Sequence, residues 1–179
     1  MKNLIMSISL GAVTACASGP YPTASPYFTI PQGSHLILKQ SLTIPPDTGR
    51  VYIQQGLVVS DSEKDQYYPH CWFVSWVVNE AAQQIKPDDF IITSSRKNES
   101  YAKTQQRFNL ANASPVILSG IFFGATAIEY STELTIHSNR QPNIRQLICS
   151  HWEDPADANH LSLTQINTVL GDIAEIRLK

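Results

Sequence analysis

Two of the chain's three cysteines, Cys71 and Cys149, stand near imidazoles: His70 adjoins the first, and His151 lies two residues beyond the second. Thiolate and imidazole are good zinc ligands, so a metal site is the sharper reading of this quartet. On a strand, however, neighbouring side chains point to opposite faces. His70 and Cys71 cannot both reach one ion without a bulge, and only Cys71, Cys149 and His151 converge. The simpler reading is a disulfide between Cys71 and Cys149, the expected fate of two thiols in an oxidising compartment. Closing a loop of 78 positions contributes about 4 kcal/mol on the chain-entropy model. The CxxC spacing of a redox-active pair is absent.

A second group mixes imidazole with carboxylate: His151, Glu153, Asp154, Asp157 and His160. Such a set could serve a metal-dependent hydrolase. The plainer reading is a polar loop broken by Pro155, with acids placed near a helix N-terminus where negative charge is favoured. The sequence contains no G-x-S-x-G elbow, H-E-x-x-H, P-loop or dinucleotide fingerprint to complete a catalytic site. Neither a cofactor nor a catalytic residue is therefore expected.

The third cysteine closes the run Val13-Thr14-Ala15-Cys16, which reads as a bacterial lipobox after a positive Lys2 and a short apolar stretch from Leu4 to Val13. Cleavage would remove residues 1–15 and leave a lipidated Cys16 at the start of the mature chain. An ordinary secretory signal and a buried N-terminal strand are the competing readings. The apolar stretch is too short to span a bilayer. One acyl chain binds membranes only marginally, whereas the three chains usual on a mature bacterial lipoprotein cysteine, palmitate among them, anchor stably. Ala17 is not the Asp that retains many lipoproteins in the inner membrane, so the expected location is the outer membrane, with the domain on its periplasmic face.

Composition sets further bounds. The chain has 179 residues, of which 42% are hydrophobic and 16% charged, as in one ordinary folded domain. Thirteen basic residues against fifteen acidic ones give a net charge of −2 and no basic cluster, which argues against nucleic acid as a partner. Residues 16–27 include the run ASGPYPTASPY, whose Pro, Ser and Ala content predicts a lipid-bearing tether ahead of a single β-rich domain at 28–179.

Within that domain, short β-branched and aromatic segments alternate with turn residues, the pattern of an antiparallel β protein. Strands are expected at His35–Gln40, with Leu42–Ile44 continuing the first, and at Val51–Gln54, Leu57–Ser60 and Phe90–Thr93. Pro46 to Gly49 is a turn, and Asp61–Gln66 an exposed loop. Cys71–Val78 is the most apolar candidate and is expected to be central, with Trp72, Val74, Trp76 and Val78 buried on one face. Asn79–Ile85 is read as a helical turn. Residues 94–107, with Arg96, Lys97, Lys103 and Arg107, are read as a solvated hairpin or loop, or alternatively as a lipid-headgroup patch. Val116–Phe123, the strictly alternating Thr126–His137, and Ile144–Ser150 add further strands. Finally, Ser162 and Gln165 form a capping box and Gly171 a stop, predicting a helix over Leu163–Leu170. The expected fold is mainly β, an antiparallel sandwich or partly open barrel with a short C-terminal helix packed on the sheet.

The pieces Ile44-Pro45-Pro46, Arg50 to Gly56, Tyr68-Pro69-His70-Cys71 and Leu147-Ile148-Cys149 resemble short proteobacterial (Gram-negative) lipoproteins of unknown function, over most of the mature chain. The resemblance implies a lipoprotein but no activity. The function expected is a non-enzymatic envelope component that holds a protein partner by a sheet edge or aromatic surface. A module for a small apolar ligand or lipid, and the hydrolase at His151–His160, are the alternatives.

Overall fold

Among the described residues, alternation and turn chemistry generate a curled, antiparallel half-barrel with one short helix near the C-terminal end. A computed structural model describes residues 22–101, 127–154 and 159–179. Eight strands form the main sheet: β1 (His35–Leu38), β3 (Arg50–Gln54), β4 (Leu57–Val59), β5 (His70–Ser75), β7 (Asp88–Tyr101), β8 (Ile128–His137), β9 (Ile144–Glu153) and β10 (Ala174–Arg177). Their spatial order is β10-β1-β7-β8-β9-β5-β3-β4, and β2 (Leu42–Ile44) pairs separately with β6 (Gln83–Ile85). The helix α1 spans Leu163–Leu170.

The core fills the concave side of this sheet. Leu36, Phe73, Phe90, Ile92, Leu134 and Leu147 are fully buried there, with Phe73 and Phe90 packed ring against ring at 6.5 Å between centroids. Across the opening lie Leu42, Ile44 and Ile85 from the β2–β6 ribbon and Leu163, Ile166, Val169 and Leu170 from α1. This is the partly open barrel of the two architectures expected, closed by a helix and a ribbon rather than by a second sheet.

The helix forms where its local signals place it. Ser162 Oγ accepts from the Gln165 N–H, and Gln165 Oε1 accepts from the Ser162 N–H. These bonds satisfy two otherwise orphan donors. At its other end Gly171 has φ 54°, and a Cβ there would meet Gly56 Cα at 2.8 Å. Gly56 belongs to the two-residue turn joining β3 to β4, where Gln55 and Gly56 both have positive φ, as the tightest hairpin turns require. Helix and hairpin therefore touch backbone to backbone, with the Gly56 N–H donating to the Val169 carbonyl at 2.8 Å.

Several expectations need correction. Asn79–Ile85 holds no helical turn: Gln83–Ile85 is the strand β6, because Ile85 is completely buried beside Leu42 and extended pairing with β2 satisfies its backbone. Leu42–Ile44 leaves the main sheet instead of continuing β1. Of the hairpin and loop readings for this segment the paired one holds over residues 94–101, which form the outer, largely exposed half of β7, paired with β8 through Tyr101↔Ile128. The Val74/Ser75 register shift ends β5 at Ser75, so Trp76 and Val78 lie 67% and 62% exposed rather than in the core. β10 has no counterpart in the sequence reading. Val116–Phe123, Lys103 and Arg107 lie outside the described residues, as does Cys16.

Candidate functional site

Cys71 and Cys149 are direct partners across β5 and β9, 4.0 Å apart at Cα, fully buried and joined as a disulfide. Their thiolates are thereby unavailable to a metal. His70 faces the other side of the sheet, stacked on Trp72, with Nδ1 3.0 Å from the Tyr68 carbonyl. Burial pushes the His70 pKa down; the Tyr68 carbonyl opposes that shift and the Lys64 charge adds to it. Among the described residues no group of three His, Cys, Asp or Glu side chains is arranged to hold a metal ion.

The second group converges in part. His151, from β9, and His160, from the segment leading into α1, approach the Tyr130 ring at 6.1 and 5.4 Å. Each has its own carboxylate: Glu153 at 3.2 Å from His151 Nε2, and Glu99 of β7 at 3.5 Å from His160 Nε2. Burial lowers the His160 pKa, aided by the Lys97 charge and opposed by Glu99. Asp154 is exposed, and Asp157 lies outside the described residues. Ser162, which lines the same cleft, uses its hydroxyl in the helix cap. These are two separate histidine–carboxylate pairs around one tyrosine. Tyr130 and Glu99 could not be found from local spacing, because only the register of β7, β8 and β9 brings them there.

The largest concavity among the described pockets lies elsewhere. A groove of about 720 Å³ opens along β3 and β4, lined by Thr43, Pro45, Arg50, Val58, Val59 and Val78 among others. Leu57 and Val58 are 66% and 52% exposed beside it. Trp76 follows the far end of β5 from the level of Leu57 and Val58, with the Arg145 guanidinium over its ring at 4.4 Å. Such a cation–π contact orients the ring without covering it.

No family model, curated protein or solved structure matches the chain. Geometry alone therefore carries the functional argument.

The two edges of the main sheet differ. At β10, the Asn167 side chain of α1 accepts from the Ile176 N–H at 2.8 Å and donates to the Ile176 carbonyl at 3.3 Å, occupying the outer edge as a neighbouring strand would. At β4 no described strand lies on the outer side. In a two-residue hairpin the Gln54–Leu57 pair exchanges the closing hydrogen bonds, so the next residue, Val58, turns its N–H and carbonyl outward. Proteins usually blunt such an edge. Here it is bordered by exposed aliphatic side chains instead.

The basic residues of β7 form no patch among the described residues. Alternation separates exposed Arg96 from half-buried Lys97, whose ammonium donates to the Pro26 carbonyl.

Proposed function

We propose that this chain is a lipid-anchored, non-enzymatic component of the bacterial envelope, held at the periplasmic face of the outer membrane by Cys16. Its β4 edge and adjoining groove dock a protein partner. The observation that carries the reading is the contrast between a guarded β10 edge and a β4 edge, flanked by Leu57 and Val58, that no described strand covers. A partner strand added there gains main-chain hydrogen bonds from Val58 and side-chain burial in the groove. The lipobox at Val13–Cys16 and the likeness to short proteobacterial lipoproteins support the compartment, and the Cys71–Cys149 disulfide is compatible with it.

The test is photo-crosslinking in cells from a benzoylphenylalanine placed at Val58, with Arg96 as the control position. A discrete envelope-protein adduct from position 58, absent at position 96 and lost when Leu57 is changed to Asp, is expected. Equal adducts from both positions, or none from position 58, would refute the docking edge. Fatty-acid labelling that survives Cys16→Ser would refute the anchor separately.

A further inference from the structure

Three of the exposed tyrosines lie at one end of the half-barrel. Tyr101 ends β7 opposite Ile128, and Ile128 pairs with Glu153, so Trp152 and Glu153 end β9 at the same level. The Trp152 N–H donates to the Gln66 carbonyl, and its ring meets Tyr67 edge-on at 5.9 Å. Tyr68 follows and leads into His70 at the start of β5. Tyr67, Tyr68 and Tyr101 are 56%, 57% and 77% exposed, and Trp152 is half-buried.

The described N-terminus lies at this end too. Residues assigned from sequence to a free tether are docked here: the Thr23 carbonyl accepts from Thr164 at the start of α1, and the Pro26 carbonyl accepts from Lys97. Pro22 is six positions after Cys16. A fully extended chain of that length reaches only about 20 Å. A lipid on Cys16 therefore keeps the tyrosine end, and not the Trp76 end, close to the bilayer.

Resting on the lipid-anchor reading, we propose that the end bearing Tyr67, Tyr68, Tyr101 and Trp152 lies against the lipid surface, with these rings in the headgroup layer. Tyrosine and tryptophan suit that layer because each has an apolar body and a polar tip. Among the described residues the charges at this end favour no anionic lipid: Glu99, Glu129, Glu153 and Asp154 stand there, while Lys97 is turned inward to Pro26. The contact is one of aromatic partitioning, and the anchor supplies the affinity through high effective concentration.

The test supplies the anchor chemically, so that its outcome does not depend on lipidation in the cell. The chain starting at Cys16, with Cys71 and Cys149 paired, is coupled through its free thiol to a maleimide lipid in phosphatidylcholine vesicles carrying brominated acyl chains. Tryptophan quenching is then compared among the parent, Trp152→Phe and Trp76→Phe. Quenching that loses more than half its amplitude in Trp152→Phe, persists in Trp76→Phe and falls when Tyr67, Tyr68 and Tyr101 are changed to Ser is the expected result. Quenching that follows Trp76 would place the other end on the lipid and overturn the proposal. An absence of quenching would also overturn it. Quenching that requires phosphatidylglycerol would assign the contact to basic residues instead and would equally overturn it.

Discussion

At one end of the half-barrel the exposed rings are tyrosines, set among carboxylates beside the point where the chain arrives from Cys16. At the other end the exposed groups are Trp76, Val77 and Val78, next to a groove lined by Val51, Val59 and Val78 together with Asp47 and Arg50. The strand β8 shows the same division in its burial: Tyr130, Ser131 and Thr132 are buried towards the first end, Leu134 and Ile136 towards the second. A tyrosine surface tolerates a boundary that is half water, whereas the valines of such a groove gain most from complete dehydration by a well-fitted partner. One sheet thus offers two surfaces of different chemistry, and the anchor proposed at Cys16 would select which of them meets a membrane.

The ends are also held differently. The disulfide lies one residue pair from the tyrosine-end limit of the β5–β9 ladder, whereas the opposite end is organised by Asp88. Its carboxylate accepts from Ser138 Oγ at 2.7 Å, Gln141 Nε2 at 2.9 Å and the Asp89 N–H at 2.8 Å, and pairs with Arg140. Burial would raise its pKa; the hydrogen bonds from Gln141, Ser138, Asp89 and Arg140 outweigh burial and hold it below the usual carboxylate range.

The largest expected effect comes from removing the disulfide. Cys71→Ala with Cys149→Ala lowers unfolding stability by about 4 kcal/mol in denaturant titrations. Amide exchange should accelerate first in His70–Trp72 and Ile148–Ser150 and only later near Asp88; uniform acceleration would erase the distinction between the ends. Asp88→Asn is expected to cost about 2 kcal/mol, the scale of hydrogen bonds to a charged group, and to loosen the turn at residues 138–143. Because the folded pKa of Asp88 is depressed, its stabilisation is present above the unfolded value of about 4 and fades as pH falls through the folded one. The parent's acid-induced loss below about pH 4 should therefore be shallower in Asp88→Asn. His70 acts with the same sign at the tyrosine end. Its lowered pKa means that the unfolded chain binds the extra proton first, so stability declines as pH falls below about 6.5. Thermal melts at pH 7 and 5 should show that decline, and His70→Gln should reduce it. The smallest change in stability, within about 0.5 kcal/mol, is expected for Trp76→Ala, whose ring is largely exposed.

What could be read from the sequence was what local rules determine. The α1 boundaries follow from Ser162, Gln165 and Gly171 because capping is a matter of neighbours. The disulfide followed from counting, once Cys16 was set aside. The outer half of β7 stayed undecided between hairpin and loop because Ser94 to Ser100 offers no apolar alternation; its extended form comes from pairing with β8. Trp76 and Val78 were misplaced because a register shift at Val74/Ser75 interrupts a period that looks unbroken in one dimension. The histidine pairs were visible as residues but not as a site, since Tyr130 and Glu99 reach them only through long-range register.

The placement of β10 carries a consequence for biogenesis. The first strand of the sheet is flanked by β7 and by the last strand, so β1 keeps an open edge until residues 174–177 arrive. The Asn167 guard on the outer side of β10 can form only after that strand has docked. Were the chain exported N-terminus first, as the proposed anchor requires, folding would finish after translocation, with Cys16 already at the membrane while the sheet still waits for its final strand.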